Sequence, residues 1–227
     1  MVDGFIRSKG YVPGSAGWTI NADGSAEFGD VILSKLTFNR LTMTPNLESI
    51  DGWGTSITGV GAAITPKAST VLLIGGNVVG DITRMYIEPS ININTDKNPQ
   101  FQCYAILSLE TVPLGDTIVG FGAFNPFTTA YIGFKRLAST NTLYAVAGGS
   151  STLITGIATD IFHSYQINVD NVLKEVYFYI DRVLKATISY TGVLLDSDFA
   201  IMLAIKSGNA SNNHRAIIGG LFYSQDF

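Results

Sequence analysis

The run Glu175-Val176-Tyr177-Phe178-Tyr179-Ile180 restricts the folding of this chain more than any other stretch. In an extended backbone Val176, Phe178 and Ile180 fall on one face and Glu175, Tyr177 and Tyr179 on the other. A period of two is the mark of a half-buried β-strand; wound into a helix, the same residues would leave no apolar stripe. The pattern recurs along the chain. Phe101, Cys103, Ala105, Leu107 and Leu109 occupy alternate positions. Leu184, Ala186, Ile188 and Tyr190 alternate with Lys185, Thr187 and Ser189. Phe199, Ile201, Leu203 and Ile205 share a side, and residues 217–223 read as a closing strand. Polar and glycine-rich clusters at 94–99, 139–141, 148–151 and 207–209 separate these runs, as turns would. Helical periodicity is almost absent. Many short alternating strands predict an all-β antiparallel sandwich or barrel.

Composition narrows the reading. Charged residues make up 14% and apolar residues 46%, with 24 glycines and a mean hydropathy of +0.28. No apolar run approaches the ~20 residues of a membrane helix: Val71-Leu72-Leu73-Ile74 stops at Gly75-Gly76. Apolar excess without a spanning segment predicts no membrane insertion, and surface buried against other subunits. The net charge of −4 argues against a general nucleic-acid binder. The single cysteine, Cys103, excludes an intrachain disulfide and is expected in the core. The N-terminus lacks the apolar stretch of a signal peptide. That predicts synthesis in a cytoplasm, or a piece of something longer.

The first part of the chain differs. Residues 17–31 form two apolar arms around Asp23-Gly24, a hairpin turn signal. A two-stranded ribbon is marginal in water by itself, so Trp18, Ile20, Phe28, Val31 and Leu33 need a partner. The main domain or copies of the same segment would supply it. The expected division is a β connector over 1–45 and a sandwich over 46–227.

Two stretches resemble known families. Lys9 to Phe28, with its Gly-Trp-x-Ile arm, Asp-Gly turn and Ser-Ala-Glu-Phe, resembles a recurring element of tailed-bacteriophage tail-tip and fibre proteins. There the element joins a virion-attached part to a distal domain, usually in a homotrimer. The resemblance implies a trimer interface at Trp18, Ile20, Phe28 and Val31, other tail proteins as N-terminal partners, and a place in the virion after synthesis in the bacterial host cytoplasm. Phe162-His163-Ser164-Tyr165-Gln166-Ile167-Asn168-Val169-Asp170, followed by residues 176–187, resembles the concanavalin A-like (legume lectin and laminarinase-like) jelly-roll superfamily. It implies a jelly-roll sandwich. One departure is Arg182, where glycine is usual; arginine tolerates the positive φ of a type I′ turn poorly, which predicts another turn type or a longer loop.

That superfamily holds lectins and glycoside hydrolases. Its hydrolases carry a Glu-x-Asp-x-x-Glu or similar run on one strand, because two carboxyl groups must flank one glycosidic bond. No strand of this sequence pairs carboxylates in that way; Asp196 and Asp198 fall in a turn-like stretch. The chain is therefore expected not to be an enzyme, and to act as a tail fibre or receptor-binding protein attaching to a bacterial surface saccharide. Alternatives are a glycan depolymerase, including one using carboxylates from neighbouring subunits, and a structural tail-tip part. Saccharides are gripped by aromatic faces and planar polar groups. The candidates are Trp53, placed in a loop by its flanking glycines, with Arg84, Tyr86, Tyr131, Arg136 and Tyr144. No cofactor and no metal site is expected from spacing: His163 and His214 stand apart from other ligand types and read as structural. Calcium is an alternative at Asn92-Ile93-Asn94-Thr95-Asp96, where loop oxygens alternate but carboxylates are sparse.

Overall fold

The computed structural model describes residues 6–12, 18–20, 26–28, 40–43, 53–67, 70–87, 95–110, 114–122, 131–138, 140, 142–191, 200–208 and 214–226. Among them no residue is α-helical, and one 3₁₀ turn spans Thr95–Lys97. The chain divides into two compact units, Met1–Phe38 and Asn39–Phe227. Strands are numbered along the chain.

In the first unit β1 (Ile6–Arg7), β2 (Trp18–Ile20) and β3 (Ala26–Phe28) form a small antiparallel sheet in that order. The expected hairpin is β2 and β3, with Trp18 opposite Phe28 and Ile20 opposite Ala26. Trp18 and Ile20 are 37% and 42% exposed, while Thr19 between them is buried. Val31 and Leu33 lie outside the described residues.

The second unit is two antiparallel sheets packed face to face. One has seven strands in the order β13 (Ser150–Ile154), β12 (Leu143–Ala147), β11 (Tyr131–Arg136), β10 (Gly115–Gly122), β17 (Ala200–Ser207), β8 (Ile82–Ile87) and β5 (Gly54–Ile57). The other runs β16 (Val183–Ser189), β15 (Glu175–Ile180), β14 (His163–Asp170), β9 (Gln100–Ile106), β18 (Arg215–Asp226), β7 (Thr70–Ile74) and β6 (Ala63–Lys67). An eighth strand, β4 (Arg40–Met43), pairs with the far half of β18. Residues 40–43, assigned by the sequence reading to the connector, are thus a strand of the sandwich.

Alternation explains the layers. Val176, Phe178 and Ile180 of β15 are at most 1% exposed, as are Phe121, Ile132 and Phe134 of the facing sheet. Their rings interlock across the layers edge to face. Phe134 meets Tyr165 and Phe178 at 5.1 and 5.4 Å between centroids. Phe121 meets Phe101 and Tyr223 at 5.6 and 5.9 Å. Such pairs add ~0.5–1.5 kcal/mol each beyond the area they bury. Cys103 sits in this core, 1% exposed, and burial pushes its thiol pKa up.

Two local expectations are corrected. The β15–β16 turn is neither longer nor of another kind: Ile180 pairs with Val183, and Asp181 and Arg182 take φ of 51° and 66°, the two positive values of a type I′ turn. Asp181 makes this tolerable. Its carboxylate accepts hydrogen bonds from the Ser164 amide at 3.0 Å and from His163 Nδ1 at 2.5 Å. The irregularity lies one step inside the hairpin, as a bulge between Phe178 and Tyr179. The bulge breaks the predicted alternation of β16. Ala186, Ile188 and Tyr190 face the core, but Leu184 lies opposite Tyr179 and is 49% exposed.

Candidate functional site

Register builds a site on the seven-stranded sheet. On the face turned away from the core, cross-strand pairing sets side chains in rows. One row runs Tyr144, Lys135, Ile118, Ala204, Arg84 and Ser56 across β12, β11, β10, β17, β8 and β5. The next runs Val146, Gly133, Gly120, Met202, Tyr86 and Gly54 over the same strands. Tyr131 stands opposite Gly122 one row further on, and Asp116 opposite Lys206 on the other side.

The floor is apolar and small. Ile118, Met202 and Ala204 are at most 1% exposed and cluster with Tyr131 and Val146. Three glycines leave the middle without side chains. A Cβ at Gly54 would stand 2.3 Å from the Tyr86 ring, so glycine there is what lets that ring lie across β5. The Arg84 guanidinium lies 5.8 Å from the Tyr86 centroid, within cation–π range. Burial pulls the Arg84 pKa below its ordinary value, and the nearby Tyr86 hydroxyl opposes this. Burial, and behind it Asp116, raises the Tyr131 hydroxyl pKa, so the phenol stays neutral. Around this floor Tyr86, Tyr144, Lys135, Lys206 and Asp116 are half-buried. Asp116 is fixed at both oxygens, by the Ala138 amide at 2.8 Å and by Lys135 Nζ at 3.6 Å. Ile118, Met202 and Ala204 are buried, as are Arg84 and Tyr131 at 8% and 9% exposure, so the side chains this face offers to a ligand are the half-buried Tyr86, Tyr144, Lys135, Lys206 and Asp116, a set of phenols, amines and one carboxylate that suits C–H patches and hydroxyls together.

Four predicted residues, Arg84, Tyr86, Tyr131 and Tyr144, lie on this one face, with Tyr144 on β12 four strands, ~19 Å, from Arg84 and Tyr86 on β8. Two do not. Trp53 is no loop residue at the surface: it is 9% exposed and belongs to the core between the sheets. Arg136 shares the inward side of β11 with Ile132 and Phe134 and has no exposed surface. Its Nε donates to Thr159 Oγ1, and burial pulls its pKa down to about 10. Lys135, Asp116 and Lys206 were missed. The alternation of Tyr131-Ile132-Gly133-Phe134-Lys135-Arg136 contains the signal, since Lys135 shares a face with Tyr131 and Arg136 does not.

Both histidines are structural. His163 Nε2 donates to the Ala158 carbonyl at 2.8 Å, and its other nitrogen meets Asp181. His214 is wholly buried, with Nε2 2.7 Å from Thr117 Oγ1 and Nδ1 3.2 Å from Glu110. This acid–imidazole–hydroxyl order looks like a nucleophilic triad. However, Thr117 is 1% exposed and spends its proton on the Leu107 carbonyl at 2.6 Å. Among the described residues no three His, Cys, Asp or Glu side chains gather as a metal site. Of the calcium stretch, Asn92 to Asn94 lie outside the described residues, and Asp96 stands 3.7 Å from Lys174 Nζ.

No family model and no curated protein matches the sequence. Solved structures do match the fold. A protein of unknown function from Shewanella oneidensis superposes with a TM-score of 0.61 at 9% identity, over 86% of this chain and 90% of that one. A β-glucanase of Bacillus licheniformis gives 0.55 at 12% identity, over 83% and 99%. The catalytic domain of an endo-1,3-β-glucanase (laminarinase) of Thermotoga petrophila gives 0.54 at 16% identity, over 81% and 96%. This chain has the jelly-roll sandwich of these glucanases. The expectation that it is not an enzyme is thereby overturned: β-glucanases and a transglycosylase solved with NAG share its fold. Lack of one carboxylate run on one strand is too narrow a ground, because a sandwich can draw acid and base from different strands, loops or subunits.

Proposed function

We propose that this chain acts on a bacterial surface saccharide, which lies along the outer face of the seven-stranded sheet. The observation that carries this is the register that lines the half-buried Tyr86, Tyr144, Lys135 and Lys206 along one face of the sheet. The glycan-acting neighbours of the fold support it. Lys135 and Lys206 add positive charge at the rim, which favours a saccharide carrying acidic groups.

The bound glycan is either held or cut. Cutting is favoured by the neighbours, which include glucanases and a transglycosylase. Glycoside hydrolysis uses two carboxyl groups, ~5–5.5 Å apart for retention or ~6.5–9.5 Å for inversion. Asp116 is the carboxylate among the described strand residues of this face; a loop or a sister chain would bring the second. Holding is favoured by the N-terminal segment. Its resemblance to the tail-fibre element, and the exposed Trp18 and Ile20, support a homotrimeric fibre in the virion whose three copies add avidity.

The test is incubation of the purified protein with host capsular or lipopolysaccharide glycan, followed by sizing of the chains. Shortened products identify a depolymerase, and intact chains retained on the protein identify an attachment protein. In either case Tyr144→Ala and Lys135→Ala weaken the interaction. If the glycan is neither shortened nor retained, the proposal fails.

A further inference from the structure

The opposite sheet carries a second platform that the site above does not use. On the outer face of the eight-stranded sheet, register sets Tyr177 beside Asn168 and Gln100, and Tyr179 beside Gln166 and Gln102. One row on, Tyr104 lies opposite Ser164. Tyr104 is 50% exposed and stacks flat on Phe162, 4.9 Å between centroids and 3° between planes. The exposed Tyr104 thus stands at one end and the half-buried Tyr177 and Tyr179 at the other, with side-chain amides between. From the Asn168 row to the Ser164 row is four residues, ~13 Å at 3.3–3.4 Å per residue. That is room for a short run of sugar rings.

The Tyr177 end deepens into a cleft of about 500 Å³. Its walls include Asp170 and Asp226, and no lysine or arginine is among the described residues that line it. The polar groups are held in place. Asn98 donates to Asp226 Oδ2 at 2.8 Å and accepts from the Asn171 amide at 2.9 Å. Gln166 donates to Asn168 Oδ1 at 3.1 Å, and Tyr177 donates to Glu175 at 2.6 Å. Groups fixed in this way bind a ligand without first losing rotamer freedom.

We propose that this face is a second saccharide site, specific for an uncharged glycan. Rings stack on C–H faces and amides pair with hydroxyls. The two carboxylates repel uronic acids and phosphates. The cationic rim of the seven-stranded sheet has the reverse preference, so one chain would read neutral and acidic segments on opposite sides.

Isothermal titration of the full chain with laminarihexaose, cellohexaose, mannohexaose and N-acetylchitohexaose tests this. At least one binds. Tyr179→Ala weakens that binding roughly tenfold, the effect of losing one stacking ring. Tyr179→Phe keeps it, which separates stacking from folding, and Tyr144→Ala on the other sheet leaves it unchanged. No binding of any of the four, or unchanged affinity in Tyr179→Ala, overturns the proposal. Loss of neutral-glycan binding in Tyr144→Ala alone also overturns it while leaving the seven-stranded face intact as a site.

Discussion

Glu110 shows how one side chain ties the end of β9 to the start of β18. It accepts from Arg215 Nε at 2.9 Å and from the Arg215 amide at 3.2 Å, and faces His214 at 3.2 Å. Burial by itself would raise its pKa; the hydrogen bonds from His214 and Arg215 outweigh that and hold it near 2, against an ordinary 4.5. A folded-state value below the unfolded one adds stability above the unfolded pKa, and that stability disappears as pH falls through the folded value. Its contribution is therefore complete above about pH 5 and lost between there and about pH 2. Glu110→Gln should flatten the stability profile in that window, measured by urea unfolding at stepped pH; an acid limb identical to that of the parent protein would count against the assignment. Arg182 shows the opposite economy. A non-glycine residue in the left-handed region costs roughly 1–3 kcal/mol, and it persists only where neighbours fix the chain. Here Asp181, bonded to the adjacent strand, does so.

At the scale of strands, glycines set how closely neighbours approach. Gly120 in β10 has φ of 148°, and a Cβ there would fall 2.2 Å from the Ile132 carbonyl oxygen of β11. Backbone cannot step aside without breaking the ladder. At Gly122 a Cβ would meet the tip of Met202, 2.3 Å away, and a methionine end can swing. Gly120→Ala should therefore destabilise by more than about 2 kcal/mol and Gly122→Ala by less than about 1. Thermal unfolding of the two variants compares them directly, and equal losses would contradict the reading. Bulges act at the same scale. One in the β15–β16 hairpin turns Leu184 outward. Another at Gly220, φ 60°, interrupts the pairing of β18 with β9 between Gly219 and Leu221. Neither is visible in alternation, which assumes an unbroken period.

At the scale of the whole molecule, the proposal of a fibre rests on the small N-terminal sheet. Trp18 and Ile20 of β2 are exposed and present an apolar face. Trp18→Ala should shift sedimentation from trimer towards monomer while the unfolding transition of the sandwich stays within about 2 °C of the parent, since the core clusters of the sandwich are built from residues 53–223. A trimer untouched by the change would remove Trp18 from the interface.

What could be read from the residues alone was what alternation encodes. The strands and the inward placement of Phe101, Cys103, Phe178 and Ile180 follow from a period of two, because water sorts each strand into a wet and a dry side; alternation left sandwich and barrel both open. The antiparallel pairing of β2 with β3 and the structural histidines were legible in the same local way. Which strands neighbour each other was not. Arg84, Tyr86, Tyr131 and Tyr144 share a face only because β8, β11 and β12 join one sheet in one register. Trp53 and Arg136 leave the group because packing between the sheets claims them. Pairing partners far apart in sequence are chosen by the free energy of the assembled core, which no short window of sequence contains.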